Sequence, residues 1–337
     1  MSAVPWTGAG MTMDPGVPRL LLALDYGGTK HSAAILRLGE RVWAARQRAE
    51  SPLHADAERD QSTMLGLARG LLDQVPGKLV AVGVSFGGPV DAPSGVVRLS
   101  HHVPGWENIS LRSRLEEEFG VTVAIDNDAN ASALGEFRVG AGAGASSLLY
   151  VTVSTGIGGG WVINGELWHG ADGMAGEIGH TIVRRAGNLC DCGRRGCLEA
   201  HASGRAIARE ARARILAAPS RGSALLQSAC GDLASVTAEN VARLAETGDA
   251  LSGEILDETA TILAEALANA INLMNPEVVV VGGGVSKSGP RFWRRIRQVA
   301  GEMVLSQTQV KIVPATLGDD APLWGAIHLV EDRITRG

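Results

Sequence analysis

Short apolar runs that end at glycine-rich turns are the first pattern in this chain. Leu20–Leu24 is a continuous apolar run that stops at Asp25-Tyr26-Gly27-Gly28, and apolar residues alternate again from His31 to Leu38. This pattern predicts a strand, a turn and a second strand. The stretches Ser147–Val153, Thr155–Gly160 and Trp161–Asn164 repeat it, with the middle stretch as the turn. Because each unit begins one half of the chain, the pattern indicates a duplicated architecture.

The rest of the chain alternates between helical and extended patterns, which predicts a mixed α/β fold. Runs rich in Ala, Leu, Glu and Arg favour helices, and Pro276 ends the longest of them. A hinge is expected near residues 126–140. The predicted helices are residues 57–74, 111–119, 129–137, 204–217, 251–274 and 322–334. The further predicted strands are residues 41–48, 79–84, 121–125, 277–281 and 310–313.

Length and composition favour a globular protein of two domains. The chain has 337 residues, of which 45% are hydrophobic and 20% charged, enough for sizeable cores. Its net charge of −5 gives no general attraction to nucleic acid or anionic membranes. It contains no apolar stretch of the roughly 18 residues that a membrane span needs, and its start does not resemble a signal peptide. We therefore expect a cytoplasmic protein that binds neither nucleic acid nor membrane, with a disordered tail over residues 1–18.

Two glycine motifs match familiar patterns in the wrong context. Gly83-Val84-Ser85-Phe86-Gly87 has the spacing of a hydrolase nucleophile elbow, but Pro89 and Pro93 exclude the helix that must follow it. Gly140–Ala145 matches a dinucleotide-binding fingerprint, but it follows a helix and precedes a strand. The sequence also has no G-x-x-x-x-G-K-[ST] phosphate loop. A bound nucleotide must therefore be held by another device.

Three glycine clusters supply such a device. The first is the turn between the first two predicted strands, where backbone amides, a hydroxyl, an ammonium group and a carboxylate could hold phosphate and Mg²⁺. The second cluster offers a hydroxyl and glycine backbone in the same way, and the third would lie under an adenine or ribose. A plain hairpin, or for the third cluster a turn that starts a helix, is the alternative when each cluster is taken alone. The candidate residues are Asp25, Gly27, Gly28, Thr29 and Lys30, then Thr155, Gly156, Gly158 and Gly159, then Gly282, Gly283 and Gly284.

Asn127 and Asp128 lie where a predicted strand ends and a helix begins. A carboxylate there can accept the proton of an attacking hydroxyl and direct that hydroxyl at a phosphoryl group. Asp is also a common capping residue at the start of a helix. The spacing alone leaves both roles for Asp128 open.

A histidine and three cysteines have the spacing of a metal site. His180, Cys190, Cys192 and Cys197 supply one imidazole and three thiolates, the tetrahedral set that Zn²⁺ prefers. Four protein ligands complete the coordination, so this zinc is expected to be structural. A disulfide between two of the cysteines is the alternative, and Cys230 is expected to be an inert buried thiol. Glu177 and Glu199 flank the cluster and can accept hydrogen bonds from hydroxyl groups.

The chain resembles the ROK family of sugar kinases and sugar-responsive repressors, within the actin-like ATPase superfamily. The resemblance runs from about Arg19 to Val330. Gly87, where many members have proline, and the bulky Trp161 depart from the family pattern. Besides the glycine turns and the cysteine cluster with Glu199, the matching blocks are residues 103–108, 126–131 and 177–180.

The resemblance implies two actin-like (ribonuclease H-like) lobes with a deep interdomain cleft. The smaller lobe would comprise residues 19–128 plus about 319–337, and the larger lobe, with the zinc loop, residues 129–318. It further implies a homodimer or homotetramer that uses ATP with Mg²⁺ and one structural Zn²⁺.

The implied reaction is phosphorylation of a hexose at its 6-hydroxyl, as in the glucokinase branch, which the stretch 199–205 resembles. Asp128 would be the general base, and the sugar would bind to Asn127, Asp128, Glu177, His180 and Glu199. N-acetylmannosamine, N-acetylglucosamine and other hexoses are alternative substrates. A sugar-sensing repressor is a third possibility, but the 24 residues before Asp25 are too few for a DNA-binding domain.

Overall fold

The structure, a computed structural model, describes residues 16–28, 30–51, 55–100 and 103–336. The chain divides into two compact units. The first comprises the described residues up to Gly135 together with those from Asp320 onward, and the second runs from Glu136 to Asp319. Most of the tail predicted over residues 1–18 lies outside the described residues.

Strands and helices alternate through both units. The strands are β1 (Arg19–Tyr26), β2 (Lys30–Arg37), β3 (Trp43–Glu50), β4 (Lys78–Phe86), β5 (Val90–Asp91), β6 (Val96–Val97), β7 (Thr122–Asn127), β8 (Ser147–Val153), β9 (Ile157–Ile163), β10 (Glu166–Trp168), β11 (Val278–Gly282) and β12 (Lys311–Pro314). The helices are α1 (Ala57–Gln74), α2 (Leu111–Phe119), α3 (Asp128–Val139), α4 (Glu199–Ala202), α5 (Gly204–Ala217), α6 (Ser223–Ser228), α7 (Ala238–Glu246), α8 (Ala250–Met274), α9 (Pro290–Met303) and α10 (Ala321–Arg336). Short 3₁₀ helices span Ile178–His180, Leu233–Ser235, Gly284–Lys287 and Gly318–Asp320.

Each unit contains a five-stranded sheet, and the two sheets have the same topology. The first has the strand order β3-β2-β1-β4-β7, and the second has the order β10-β9-β8-β11-β12. In both, three successive antiparallel strands are followed by two strands parallel to the first of the three. The predicted duplication is therefore confirmed, and so is the mixed α/β class.

The parallel arrangement sets where each unit can bind a ligand. Loops that leave the carboxyl ends of parallel strands meet at one edge of a sheet, which is the usual ligand site of such folds. In the first unit these ends belong to β1, β4 and β7, and in the second to β8, β11 and β12. Asp25, Asn127, Asp128 and residues 154–156 lie at these edges.

Each unit has its own apolar core. In the first, strand residues such as Leu22 and Val84 belong to a buried cluster with Met64 and Leu71 of α1. In the second, α8 contributes Leu263 and Leu267 to a cluster with Val279 and Val281 of β11. All five residues of β11 are buried, because this strand is paired on both sides by β8 and β12. That burial explains its uninterrupted apolar sequence.

Most predicted elements occur close to their expected bounds, and one prediction is wrong. Helices 57–74 and 111–119 have the bounds that the sequence predicted. The stretch Thr155–Gly160 is not one turn, because β9 begins at Ile157 and its glycines pair with β8. The glycines tolerate strand pairing where a neighbouring backbone approaches closely. Of the described helices, none combines the length and the apolar character that crossing a membrane requires.

Candidate functional site

Asp25 lies at the carboxyl end of β1, next to a serine from the neighbouring strand. The parallel register pairs Asp25 with Ser85 of β4, and the Ser85 hydroxyl donates a 2.8 Å hydrogen bond to Oδ1 of Asp25. Both side chains are buried. Ser85 is therefore no exposed nucleophile, and it holds the carboxylate predicted to interact with Mg²⁺.

The surroundings of Asp25 make its charged form costly. Burial raises the pKa of Asp25 to about 7, the Ser85 hydrogen bond opposes this rise, and the carboxylate of Asp128 adds to it. Lys30, at the start of β2, lowers the pKa of Asp25 by a smaller amount. A divalent cation bound here would favour ionisation by its own charge.

The first glycine turn connects β1 and β2. Gly27 and Gly28 leave β1, and the backbone N–H of Gly87 donates a 2.8 Å hydrogen bond to the Tyr26 carbonyl just before them. Thr29, the predicted hydroxyl donor of this turn, lies outside the described residues. The structure thus places Asp25 and Lys30 on either side of the turn.

Asn127 and Asp128 follow at the same edge of the first sheet. The register of β4 and β7 pairs Ser85 with Asp126 and Phe86 with Asn127. Oδ1 of Asn127 accepts a 2.7 Å hydrogen bond from the backbone N–H of Asn130, so Asn127 caps α3. Asp128 is exposed and occupies the first turn of that helix. The capping role that competed with catalysis for Asp128 is therefore filled by its neighbour.

The second glycine turn is shorter than predicted and consists of Ser154–Gly156. The backbone N–H of Ile157 donates a 2.8 Å hydrogen bond to Oε2 of Glu199, and a Cβ on Gly156 would lie 2.5 Å from the same oxygen. The Glu199 carboxylate therefore lies directly against the backbone of this turn, and a side chain at position 156 would displace it.

Gly158 and Gly159 belong to β9 and not to the turn, as noted above. They pair with Thr152 and Val151 of β8. A Cβ on Gly159 would lie 2.6 Å from the Gly176 carbonyl oxygen, so close packing of two backbone segments accounts for this glycine. The backbone that remains for phosphate in this turn is that of Thr155 and Gly156.

The third glycine cluster lies beside the second turn. Gly282 ends β11 and pairs with Thr152 of β8, and a Cβ on Gly283 would overlap the Val153 carbonyl group. Gly284 has no atoms near its hypothetical Cβ and begins a 3₁₀ helix. Packing accounts for Gly282 and Gly283, and Gly284 presents an open backbone surface at the same edge of the second sheet.

His180, Cys190, Cys192 and Cys197 converge as the sequence predicted. Their potential ligand atoms all lie within 4.8 Å of one another, and all three cysteines are free thiols, which excludes the disulfide alternative in this structure. Nδ1 of His180 lies 3.7 Å from Sγ of Cys190, whereas Nε2 lies 3.8 Å from a carboxylate oxygen of Glu177. The ring thus directs one nitrogen at the thiols and the other at Glu177.

The three thiols have different electrostatic surroundings. Burial raises the pKa of Cys190, while the backbone N–H of Arg194 and then its guanidinium lower that of Cys192. Thiolates are the form that binds metals. Cys192 therefore supplies the most readily ionised ligand of the cluster.

Sequence reasoning missed two residues that support these groups. Ser85 was read only as a turn residue, although its place in a buried strand beside β1 could have suggested its bond to Asp25. Arg205 had no assigned role, yet its Nε lies 3.2 Å from the Thr155 carbonyl oxygen and its guanidinium 2.9 Å from Asp191. Nothing in the sequence brings residues 155, 191 and 205 together, because these contacts depend on the fold of the cysteine loop.

The paired sheets with matched topology have the actin-like ATPase fold, and comparison with known proteins specifies the family. The ROK family profile matches residues 21–333, so the chain belongs to the ROK family. A glucokinase of Halalkalibacterium halodurans is 40% identical over 260 residues, which cover 76% of this chain and 77% of that protein. A glucokinase of Thermotoga maritima is 33% identical over 324 residues, covering 94% of this chain and 99% of that protein.

Solved structures agree with the sequence comparison. The crystal structure of a ROK family glucokinase from Streptomyces griseus, in complex with glucose and AMPPNP, matches with a TM-score of 0.80 and 32% identity. The match covers 92% of this chain and 98% of that one. The chain is an ATP-dependent sugar kinase.

Proposed function

We propose that this ROK chain is a glucokinase that transfers the γ-phosphoryl group of ATP to the 6-hydroxyl of glucose. The observation that carries the proposal is the arrangement at the start of α3, where Asn127 caps the helix and Asp128 presents an exposed carboxylate. Similarity to glucokinases at 33–40% identity supports glucose as the substrate.

Asp128 is the proposed general base. The 6-hydroxyl oxygen attacks the γ-phosphorus, the bond from that phosphorus to the β,γ-bridging oxygen breaks, and the hydroxyl proton passes to the Asp128 carboxylate. ADP leaves with the bridging oxygen. A Mg²⁺ ion, held through water by Asp25, would neutralise the developing phosphate charge. The two glycine turns would bind the phosphates through their backbone amides.

The hexose hydroxyls are proposed to bind to Asn127, Glu177, His180 and Glu199. Because Oδ1 of Asn127 accepts the capping bond, its amide NH₂ is the group that remains for a sugar hydroxyl. Oε2 of Glu199 accepts from Ile157, so Oε1 is the candidate sugar acceptor. A polyol that leaves these polar groups unpaired would bind more weakly than a hexose whose hydroxyls pair with all of them.

The cluster of one imidazole and three thiols fits a tetrahedral Zn²⁺ ion. The donor set is the soft combination that zinc prefers, and four protein ligands leave no open position for water. The ion would hold the cysteine loop in one conformation. Because Nδ1 of His180 faces the thiols that would hold the ion, Nε2 is the nitrogen that would meet a sugar hydroxyl.

The enzyme is further proposed to be cytoplasmic and to assemble as a homodimer or homotetramer, as its family resemblance implies. Light scattering on the purified full chain measures the assembly directly.

The substrate proposal is tested by steady-state kinetics with ATP and Mg²⁺. We expect kcat/KM for glucose to exceed the values for N-acetylglucosamine, N-acetylmannosamine and mannose. A higher value for a 2-acetamido sugar would overturn glucose as the preferred substrate. Specific DNA binding without phosphorylation of any hexose would overturn the kinase itself.

The catalytic proposal is tested by Asp128→Asn, which keeps the size of the side chain and removes the base. We expect kcat to fall by about 10²–10⁴-fold while calorimetry still detects glucose binding. Asp73→Asn, at an exposed aspartate of α1 in the same unit, is the matched control and should keep full activity. Turnover near the wild-type value in Asp128→Asn would show that another group is the base.

A further inference from the structure

The second glycine turn is held by the chain segment that follows the cysteine loop. The backbone N–H of Gly204 donates a 2.7 Å hydrogen bond to the Ser154 carbonyl, and Glu199 accepts from Ile157 at 2.8 Å. Arg205 completes the set, since its Nε donates to the Thr155 carbonyl at 3.2 Å. The turn is therefore anchored at its start, its middle and its end by residues 199–205.

Arg205 differs from the other two anchors because it also reaches the cysteine loop. Its Nη2 lies 2.9 Å from Oδ2 of Asp191, which stands between two of the clustered cysteines, and 3.9 Å from Oε1 of Glu199. A guanidinium group is planar and presents several donors at fixed angles, so one group can bond a carbonyl and a carboxylate at once. A lysine ammonium at this position would be a compact charge, without donors held in a fixed plane for both partners.

We propose that Arg205 is a positioning residue for nucleotide binding, which ties the Ser154–Gly156 turn to the cysteine loop through Asp191. The inference rests on the proposed function, since it takes this turn to be part of the phosphate site. Backbone amides bind phosphate well only when they are already oriented, because ordering a loop at the moment of binding costs affinity. The cysteine loop, held by the His180 cluster, would thus support the nucleotide turn as well as the sugar residues.

The test measures the affinity of the full chain for AMPPNP with Mg²⁺ by calorimetry, without sugar. Arg205→Gln removes both bonds and should weaken AMPPNP binding by about five- to tenfold. Asp191→Asn removes only the exposed ion pair, and the expected loss is roughly two- to fivefold. Both substitutions break the same contact between Arg205 and Asp191. The double variant should therefore bind AMPPNP about as weakly as Arg205→Gln alone. Arg205→Lys should lie between Arg205→Gln and the wild type.

Arg209→Gln is the matched control. Arg209 is one turn further along α5, is also exposed, and donates to the Ala200 carbonyl instead of the turn. Its substitution should leave the AMPPNP affinity unchanged. The zinc content of Arg205→Gln and Asp191→Asn, and the glucose affinity of Asp191→Asn, should equal those of the wild type, which separates loss of the link from collapse of the cysteine loop.

A second readout does not depend on nucleotide. Hydrogen exchange of a peptide that covers residues 154–157 should be faster in Arg205→Gln than in the wild type or in Arg209→Gln. The inference is overturned if Asp191→Asn binds AMPPNP like the wild type, or if the two losses add, because Arg205 would then act alone. A wild-type chain that binds no AMPPNP overturns the proposed function as well, whereas binding that no variant alters overturns this inference only.

Discussion

Asp25 carries a carboxyl group whose ionisation opposes folding. Its pKa is about 7 in the folded protein and 3.8 in an unfolded chain, mainly because the group is buried. Between these values the folded state holds a proton that the unfolded state has released. The contribution of this group to stability therefore falls as the pH rises from about 4 to about 7, and its full cost is present above that range.

Asp25→Asn removes this cost and should stabilise the magnesium-free protein. Asn can still accept the Ser85 hydrogen bond, so we expect a gain on the order of 2–4 kcal/mol at pH 8 and a smaller one at pH 5. Thermal unfolding at both pH values, with Asp73→Asn as the surface control, measures the difference. A gain that is equal at the two pH values would contradict the charge explanation. We also expect the variant to lose most of its kinase activity.

The roles of Asn127 and Asp128 at the start of α3 could be predicted only in part from the sequence. The sequence predicted that both stand where a strand meets a helix, and this is confirmed. It could not decide whether Asp128 caps the helix or serves as the base, because Asp is a good cap at such a position. The choice depends on the backbone geometry of the strand end, where Asp126 accepts the N–H of Asn127 at 2.8 Å.

At the scale of elements, glycines bring helices and strands closer than other residues allow. A Cβ on Gly325 of α10 would overlap the Ala131 carbonyl of α3, and one on Gly83 of β4 would overlap the Ala326 carbonyl of α10. The glycine that opened the apparent nucleophile elbow thus permits packing of the last helix. The chain's many glycines serve such contacts as well as ligand turns.

Gly325→Ala should destabilise the first unit. The added methyl group has no room against the α3 backbone, and we expect the free energy of unfolding to fall by about 1–3 kcal/mol. Gly66→Ala is the matched control, since Gly66 is exposed in α1 and a Cβ there meets no atoms. That variant should gain about 0.5–1 kcal/mol. Denaturant unfolding that moves both variants in the same direction would contradict the packing argument.

The wrong prediction, that Thr155–Gly160 is one turn, also arose from glycines that allow close approach of other segments. A run of glycines resembles a turn when only local preference is considered. Gly158 and Gly159 instead pair with β8 within a strand, and Gly176 packs against Gly159. Pairing across strands and packing against a segment further along the chain overrode the local preference.

At the scale of the molecule, we expect the metal cluster to stabilise the second unit only. All four potential ligands belong to the second unit, in the segment that runs from the 3₁₀ helix at Ile178–His180 to the start of α4. Cys192→Ser should lose zinc, weaken glucose binding and speed hydrogen exchange over residues 177–204. Exchange in β1 and β4 of the first unit should stay as in the wild type.

Cys230→Ser is the matched control for that experiment. Cys230 is also a free thiol and is not part of the cluster; it is exposed, so its predicted burial is wrong. This variant should keep its zinc, as measured by elemental analysis, and its glucose affinity. Full zinc content with unchanged glucose affinity in Cys192→Ser would show that the cluster has no structural role in sugar binding.

The sequence by itself determined the class of the fold, the duplication and the residue types at each candidate site, because periodicity, turn chemistry and ligand spacing are local properties. The family followed from the resemblance of its motif blocks to those of ROK proteins. The tertiary structure decided which atoms of those residues already take part in hydrogen bonds or ion pairs. Ser85 holds Asp25, Asn127 caps α3, Glu199 accepts from Ile157, and Arg205 joins two loops. Except for the helix cap, these bonds join groups many residues apart, and such contacts form only when sheet register and loop packing bring distant segments together.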